Sequence, residues 1–256
     1  MASTDGFRTQ FSFRRVYAGG WAVLASRPIA LLGVSLLANA PIAAVETFAG
    51  LRQASPGGRD SVIWEIAFFT ATLLGLVATY FTLAAITSLM VDGGPGRRSA
   101  VGDAAAMGLR LMFPMLLQSL LVSMAIGAGL VLLIVPGLIF MTMWSVASVV
   151  LVAERAGPIA SISRSARLTE GLRIRTFFTL LPILTLYVLL FFGLQGFSSA
   201  GPEEIARSNL SLGIASNIAT RVFPPLLFCA FSVSLYRELF AIKGSDVHDD
   251  LAGVFA

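Results

Sequence analysis

The chain predicts an all-α fold: a polytopic membrane protein of six transmembrane helices, with short basic amphipathic helices on the cytoplasmic side. Three observations carry that prediction. The runs 62–91, 113–153 and 222–242 carry almost no charge, and each exceeds the roughly 18 apolar residues at which a stretch reads as a membrane crossing. The composition agrees, with 56% hydrophobic and 12% charged residues, where a soluble domain carries about a quarter charged. Mean hydropathy is +0.84. The third observation is the uneven distribution of Lys and Arg around the runs.

The spans fall at about 28–49, 62–91, 113–135, 137–153, 177–197 and 222–242, in one membrane domain over 1–256. Before the first, Arg14 and Arg15 precede an apolar stretch, and Ala38, Asn39 and Ala40 resemble a signal-peptide cleavage site. Pro41 would follow the cut, where the peptidase tolerates proline poorly, and the apolar run continues beyond it. An uncleaved first span is the expectation. The stretch 113–153 holds 41 residues, roughly 61 Å of helix. Two crossings of a ~30 Å core need about that length. Pro136 and Gly137 offer the best turn within it, so a tight hairpin is expected there.

Orientation follows from the basic residues. Fourteen lie on one side: Arg8, Arg14, Arg15 and Arg27; Arg97, Arg98 and Arg110; Arg155, Arg164, Arg167, Arg173 and Arg175; Arg237 and Lys243. Four lie on the other: Arg52, Arg59, Arg207 and Arg221. The positive-inside rule puts both termini in the cytoplasm.

Two interfacial helices are expected, at about 99–111 and 158–171. In the second, Pro158 suits a first helical position. Ile159, Ile162 and Ala166 share one face, while Arg164, Arg167 and Gly171 share another, which suits the headgroup layer. In the first, Ser99 is placed to cap and Asp103 sits in the first turn. Residues 12–26 form a weaker third case, loosened by Gly19 and Gly20. Each segment precedes a pair of spans, with Arg27, Arg110 and Arg173 in corresponding places. Two readings fit: three copies of helix plus hairpin, or coincidence among Gly/Leu/Arg-rich span borders.

Chemistry is sparse. His248 is the single histidine and Cys229 the single cysteine, which leaves no disulfide, no metal site and little acid–base machinery to expect. No cofactor is implied. The turn Asp92, Gly93, Gly94, Pro95, Gly96, Arg97, Arg98 lacks the Gly-Lys-Ser/Thr ending of a phosphate loop and reads as a flexible basic turn. Gln118 and Gln195 read as interhelical hydrogen-bonding groups. Trp21 and Trp64 lie at interfacial depth, and Trp144 lies deeper.

Two constellations remain. Glu154 ends the fourth span and Arg164 follows on the amphipathic helix. With Ser165 and Arg167 they form a candidate lipid- or partner-binding site. The plainer reading is a hinge in which Glu154 pairs with Arg164 or Arg155 and fixes how the helix folds back, and it is the stronger of the two. Glu46 and Glu65 are intramembrane acids near the outer ends of spans one and two. They read either as proton or cation carriers or as ion-pair partners of Arg52, Arg59 or Arg221.

A resemblance adds to these readings. Pro136, Gly137, Leu138 and Ile139, then Trp144, Glu154 and Gly157, then Arg164, Ser165, Leu168, Thr169, Glu170 and Gly171 form an ordered set. Arg97, Arg98, Ser99, Gly102 and Asp103 stand upstream. The set resembles the membrane domain attached to some bacterial glycerophosphoryl diester phosphodiesterases, and the related YciC-like inner-membrane proteins. The resemblance implies a six-span protein of the bacterial inner membrane, loosely associated with the envelope and its lipids. The enzymes of that family carry their catalysis in a separate barrel with His and acidic metal ligands. This chain has no such residues in number, so the diesterase reaction does not transfer.

The expected function is therefore non-enzymatic: binding, moving or sensing lipid, or anchoring an envelope assembly. A small-solute secondary transporter with Glu46 and Glu65 as coupling acids is the alternative, and an intramembrane enzyme comes third. Expected partners are membrane phospholipids, with anionic headgroups favoured, and a membrane-protein partner or second copy of the chain; nucleic acid is not expected. Reporter fusions after residues 55, 137 and 208 are expected outside and those after 97, 158 and 248 inside. An outside signal at 158 would break both the hairpin and the orientation.

Overall fold

A backbone inside hydrocarbon must satisfy its own hydrogen bonds, which leaves the helix as the natural form for apolar runs of this length. The computed structural model of the protein describes residues 10–54, 62–91, 101–198 and 210–254. For residues 51, 53–54, 134, 195–198, 210 and 244–254 it describes the backbone alone. The turn at 92–98, Ser99, Arg59 and Arg207, and the side chains of Gln195 and His248, lie outside what is described. Among the described residues the chain forms helices and no strand. The helices are α1 (Phe13–Ser26), α2 (Pro28–Ala54), α3 (Val62–Val91), α4 (Val101–Leu132), α5 (Ile134–Met143), α6 (Ala147–Ala153), α7 (Pro158–Leu168), α8 (Arg173–Ser198) and α9 (Leu210–Val254).

Among the described residues six stretches are long and apolar enough to cross a membrane: Pro28–Gly50, Val62–Val91, Val101–Leu132, Val135–Ala153, Arg173–Leu194 and Ser211–Lys243. The protein is an all-α, multi-pass membrane protein. Four details differ from the sequence expectation. The described part of the expected interfacial helix, residues 101–111, is no separate helix. It runs unbroken into the third span as α4, 32 residues long and so roughly 48 Å, well beyond a ~30 Å core. Gly108, expected at the border, instead allows close packing: a Cβ there would sit 2.9 Å from the Phe81 carbonyl oxygen of α3.

The hairpin turns at Leu133, whose backbone is extended (φ −161°, ψ 133°), rather than at Pro136 and Gly137. Pro136 lies in the first turn of α5, where its missing N–H costs no helical hydrogen bond. Gly137 serves proximity. A Cβ on Gly129 would lie 2.9 Å from the Gly137 backbone, and one on Gly137 would lie 2.8 Å from the Leu130 nitrogen. Small residues at a crossing let two backbones approach, as is usual between membrane helices.

The fourth span is broken in the middle, with a turn over Trp144, Ser145 and Val146 separating α5 from α6. The helix of the sixth span, α9, starts at Leu210, twelve residues ahead of the expected 222. Asn217, Thr220 and Arg221 read as the end of an apolar run, yet the helix carries them because their polar atoms find partners.

The chain forms two compact units. One holds residues 1–26, 114–183 and 229–256; the other holds 27–113 and 184–228. In the first, Val16, Val146, Val150, Leu168, Leu235 and Leu239 pack into one core. Gly19 and Gly20 do not loosen α1: they are the contact points for Ser234 and Phe231 of α9, and Ser234 Oγ donates to the Val16 carbonyl at 2.7 Å. Phe231 also meets the rings of Tyr17 and Trp21 edge-on. In the second unit α2 packs along α3, tied by Asn39, whose Nδ2 donates to the Ser35 carbonyl at 2.9 Å and to Thr82 Oγ1 at 3.0 Å.

Candidate functional sites

The first site is the corner between α6 and α7. Glu154 ends α6, and Arg155 then adopts the left-handed conformation at φ 50°, an uncommon geometry for a residue with a Cβ. That single residue turns the chain. Gly157 precedes α7 in extended backbone and Pro158 opens it, as the spacing predicts. Folding back brings Arg164 Nε to 3.3 Å from Glu154 Oε1, and Tyr236 donates its hydroxyl to the same oxygen at 3.2 Å. The side chains of Arg164 and Glu154 are 38% and 29% exposed, so the pair contributes only about 0.2–1 kcal/mol. It steers the fold-back more than it stabilises it.

The stronger tie lies beneath. The turn at residues 144–146 diverts the Ala147 amide to the Trp144 carbonyl, so it no longer serves the Met143 carbonyl one helical turn back. Ser165 Oγ donates to that carbonyl at 2.7 Å and Thr169 Oγ1 approaches it at 3.4 Å. Both residues are fully buried. Ser165, expected as a headgroup contact, is thus committed to the break in the fourth span. Leu168 is core, and Gly171 has a positive φ of 78°, which glycine adopts without strain. Of the four expected site residues Glu154 and Arg167 are exposed, and Arg167 takes no part in these bonds.

The second site lies in the other unit. Arg221 of α9 bonds Glu46 of α2 through NH2 and Oε2. Its Nε donates to Asn217 Oδ1 at 3.0 Å, and Asn217 Nδ2 donates to Thr47 Oγ1 at 3.1 Å. Thr72 of α3 donates to Glu46 Oε1 at 3.3 Å. The guanidinium lies flat on Gly75, where a Cβ would stand 2.8 Å from NH1. Glu46 is therefore an ion-pair partner, not a solitary acid. Glu65 is exposed in the first turn of α3 and makes no ion pair among the described residues; a carboxylate there is favoured by the helix dipole.

Sequence reasoning missed a third group. Arg15 of α1 donates twice to Glu238 Oε1 of α9, at 3.0 and 2.7 Å, and the Ser12 amide donates to the same oxygen at 3.1 Å. Arg15 and Glu238 line a cavity of about 300 Å³ with Gly19, Ser234 and Arg237. A carboxylate in the otherwise apolar end of the last span was the available signal. Gln118 does not make the expected interhelical bond: it is buried, and its Oε1 has no partner among the described residues. Comparison of the chain with known protein families, curated proteins and solved structures returned no match.

Removing the hydroxyl that serves Met143, in Ser165→Ala, strands a buried carbonyl and is expected to destabilise the protein by about 1–3 kcal/mol. Glu154→Gln should cost less than about 1 kcal/mol. Thermal melts in a lipid nanodisc measure both, and the reverse ranking would assign the corner to the ion pair.

Proposed function

We propose that the protein is a non-enzymatic membrane component of the bacterial envelope that binds phospholipid, reading anionic headgroups through α7. The observation that carries this reading is the division of α7 into two halves. Its inner face, Ser161, Ser165 and Leu168, is buried on the first unit. Its outer surface presents Ile159, 75% exposed, and the exposed Arg167. A helix held by one face that offers an apolar residue in its first turn and a guanidinium in its last fits the headgroup–acyl boundary. The pattern Arg164, Ser165, Leu168, Thr169, Gly171 acts, on this reading, to hold such a helix at a fixed height. The proposed relation to the membrane domains of the phosphodiesterase and YciC-like proteins rests on that ordered set of residues, and the proposed inner-membrane location with cytoplasmic termini rests on the fourteen-to-four distribution of Lys and Arg.

The pairing of Glu46 weighs against the solute-transport alternative in the form that needs a solitary coupling acid. An intramembrane enzyme would need a convergent cluster of catalytic groups, and the polar groups of the α6–α7 corner are engaged in structural bonds.

Spin labels along α7 in nanodiscs containing anionic lipid should place position 159 deepest and position 167 in the headgroup layer. Arg167→Gln should reduce the stabilisation that anionic lipid confers on the full chain by about 1 kcal/mol and leave stability in zwitterionic lipid unchanged. An aqueous signal at 159, or an Arg167→Gln variant stabilised by anionic lipid as fully as the wild type, would remove α7 from the headgroup layer.

A further inference from the structure

The cavity beside the Arg15–Glu238 pair lies within the first unit, between α1 and α9, and its walls are fixed. Gly19 of α1 stands so close to α9 that a Cβ there would sit 2.3 Å from Ser234 Oγ. That hydroxyl is bonded across to the Val16 carbonyl at 2.7 Å. Val16 and Leu239, on the same two helices, are fully buried. A site formed before its ligand arrives loses little ordering entropy on binding. Its volume of about 300 Å³ stands at the small end of ligand pockets.

The charges select what such a cavity takes. Arg15, Arg237 and Glu238 line it, and two cations against one anion leave a positive balance, which favours an anion over a metal ion. Glu238 serves Arg15 more than the cavity. Its side chain is 12% exposed against 49% for Arg15, and its Oε1 accepts from the Ser12 amide and from Arg15 Nε and NH2. Arg15 NH2 also donates to the Gln10 carbonyl. The guanidinium is therefore oriented through Nε and NH2. Its NH1 makes no hydrogen bond among the described residues and keeps two donors for a ligand. An oriented guanidinium matches the oxygens of a phosphate. Ala241 and Ile242 complete the wall, and their apolar surface suits a phosphate carried on carbon better than the bare inorganic ion. Arg237 lies six residues before the end of the stretch Ser211–Lys243, about 9 Å along the helix, and a side chain of that length reaches toward the headgroup layer.

We infer that the cavity between α1 and α9 is a binding site for an organic phosphate, with Arg15 and Arg237 donating to it and Glu238 positioning Arg15. A phospholipid headgroup and a free phosphate ester share this chemistry. The site uses no residue of α7, so it stands or falls apart from the headgroup reading of that helix.

Titration calorimetry of the full chain in an uncharged detergent tests this with three probes. They are dihexanoyl phosphatidylglycerol below its micelle concentration, glycerol 3-phosphate, and dihexanoylglycerol, which has the chains and no phosphate. At least one phosphate probe should bind, one per chain, and dihexanoylglycerol should not. Arg237→Gln should weaken that binding about tenfold or more, the loss of a charge-assisted hydrogen bond. Ala241→Leu fills the cavity while keeping both guanidinium groups, and carries the same expectation if Arg237→Gln does not fold. Replacing an exposed arginine of α4, in Arg110→Gln, should leave binding as in the wild type. Phosphatidylglycerol bound more tightly than glycerol 3-phosphate makes the ligand a membrane lipid, and the reverse order makes it a soluble ester. Binding of neither phosphate probe overturns the inference, as does dihexanoylglycerol bound as tightly as they are. Binding that survives both Arg237→Gln and Ala241→Leu, or that Arg110→Gln weakens equally, overturns it too.

Discussion

A polar group inside a membrane must be met by another polar group, and in this protein that constraint decides where helices break, bend back and carry charge. The clearest case is Met143. Interrupting the fourth span at residues 144–146 deprives its carbonyl of an amide, and Ser165 supplies the missing donor. That requirement fixes α7 against α5 and α6, and it fixes which face α7 turns inward. The outward pair of Ile159 and Arg167 follows from it. An exposed feature that looks functional is thus set by a buried bond that looks only structural.

The same constraint operates in the second unit with charges in place of hydroxyls. Arg221 lies well inside the sixth span, and α9 continues through it because Glu46 and Asn217 meet the guanidinium. Removing one partner of such a pair costs far more than the pair contributes, since the remaining charge is stranded. Gly75 shows how closely the neighbouring helix is shaped to the guanidinium.

The helical class and the number of spans were legible in composition and in the length of the apolar runs, because a bilayer imposes a length that few other environments do. The opening of α7 was legible as well, since Gly157 and Pro158 are local signals. The break at residues 144–146 was not: Trp144, Ser145 and Val146 contain neither glycine nor proline, and the turn is held by side chains some twenty residues away. Pro136 and Gly137 misdirected the hairpin by three residues because one residue type serves two purposes. Proline marks turns and also first helical turns; glycine frees a backbone and also lets helices touch. The start of α9 was missed for a related reason. Hydropathy penalises Asn217 and Arg221 one by one, whereas the fold pairs them with residues 170 or more positions away.

The bond that holds the broken fourth span can be observed directly. Met143 and Trp144 form the one Met-Trp pair in the sequence, so solid-state NMR of a chain labelled with carbonyl-13C methionine and 15N tryptophan in lipid bilayers reads the Met143 carbonyl alone. Ser165 donates to that oxygen at 2.7 Å, so Ser165→Ala should shift the carbonyl resonance upfield and destabilise the protein. A Met143 resonance and a stability both unchanged by Ser165→Ala would contradict the account.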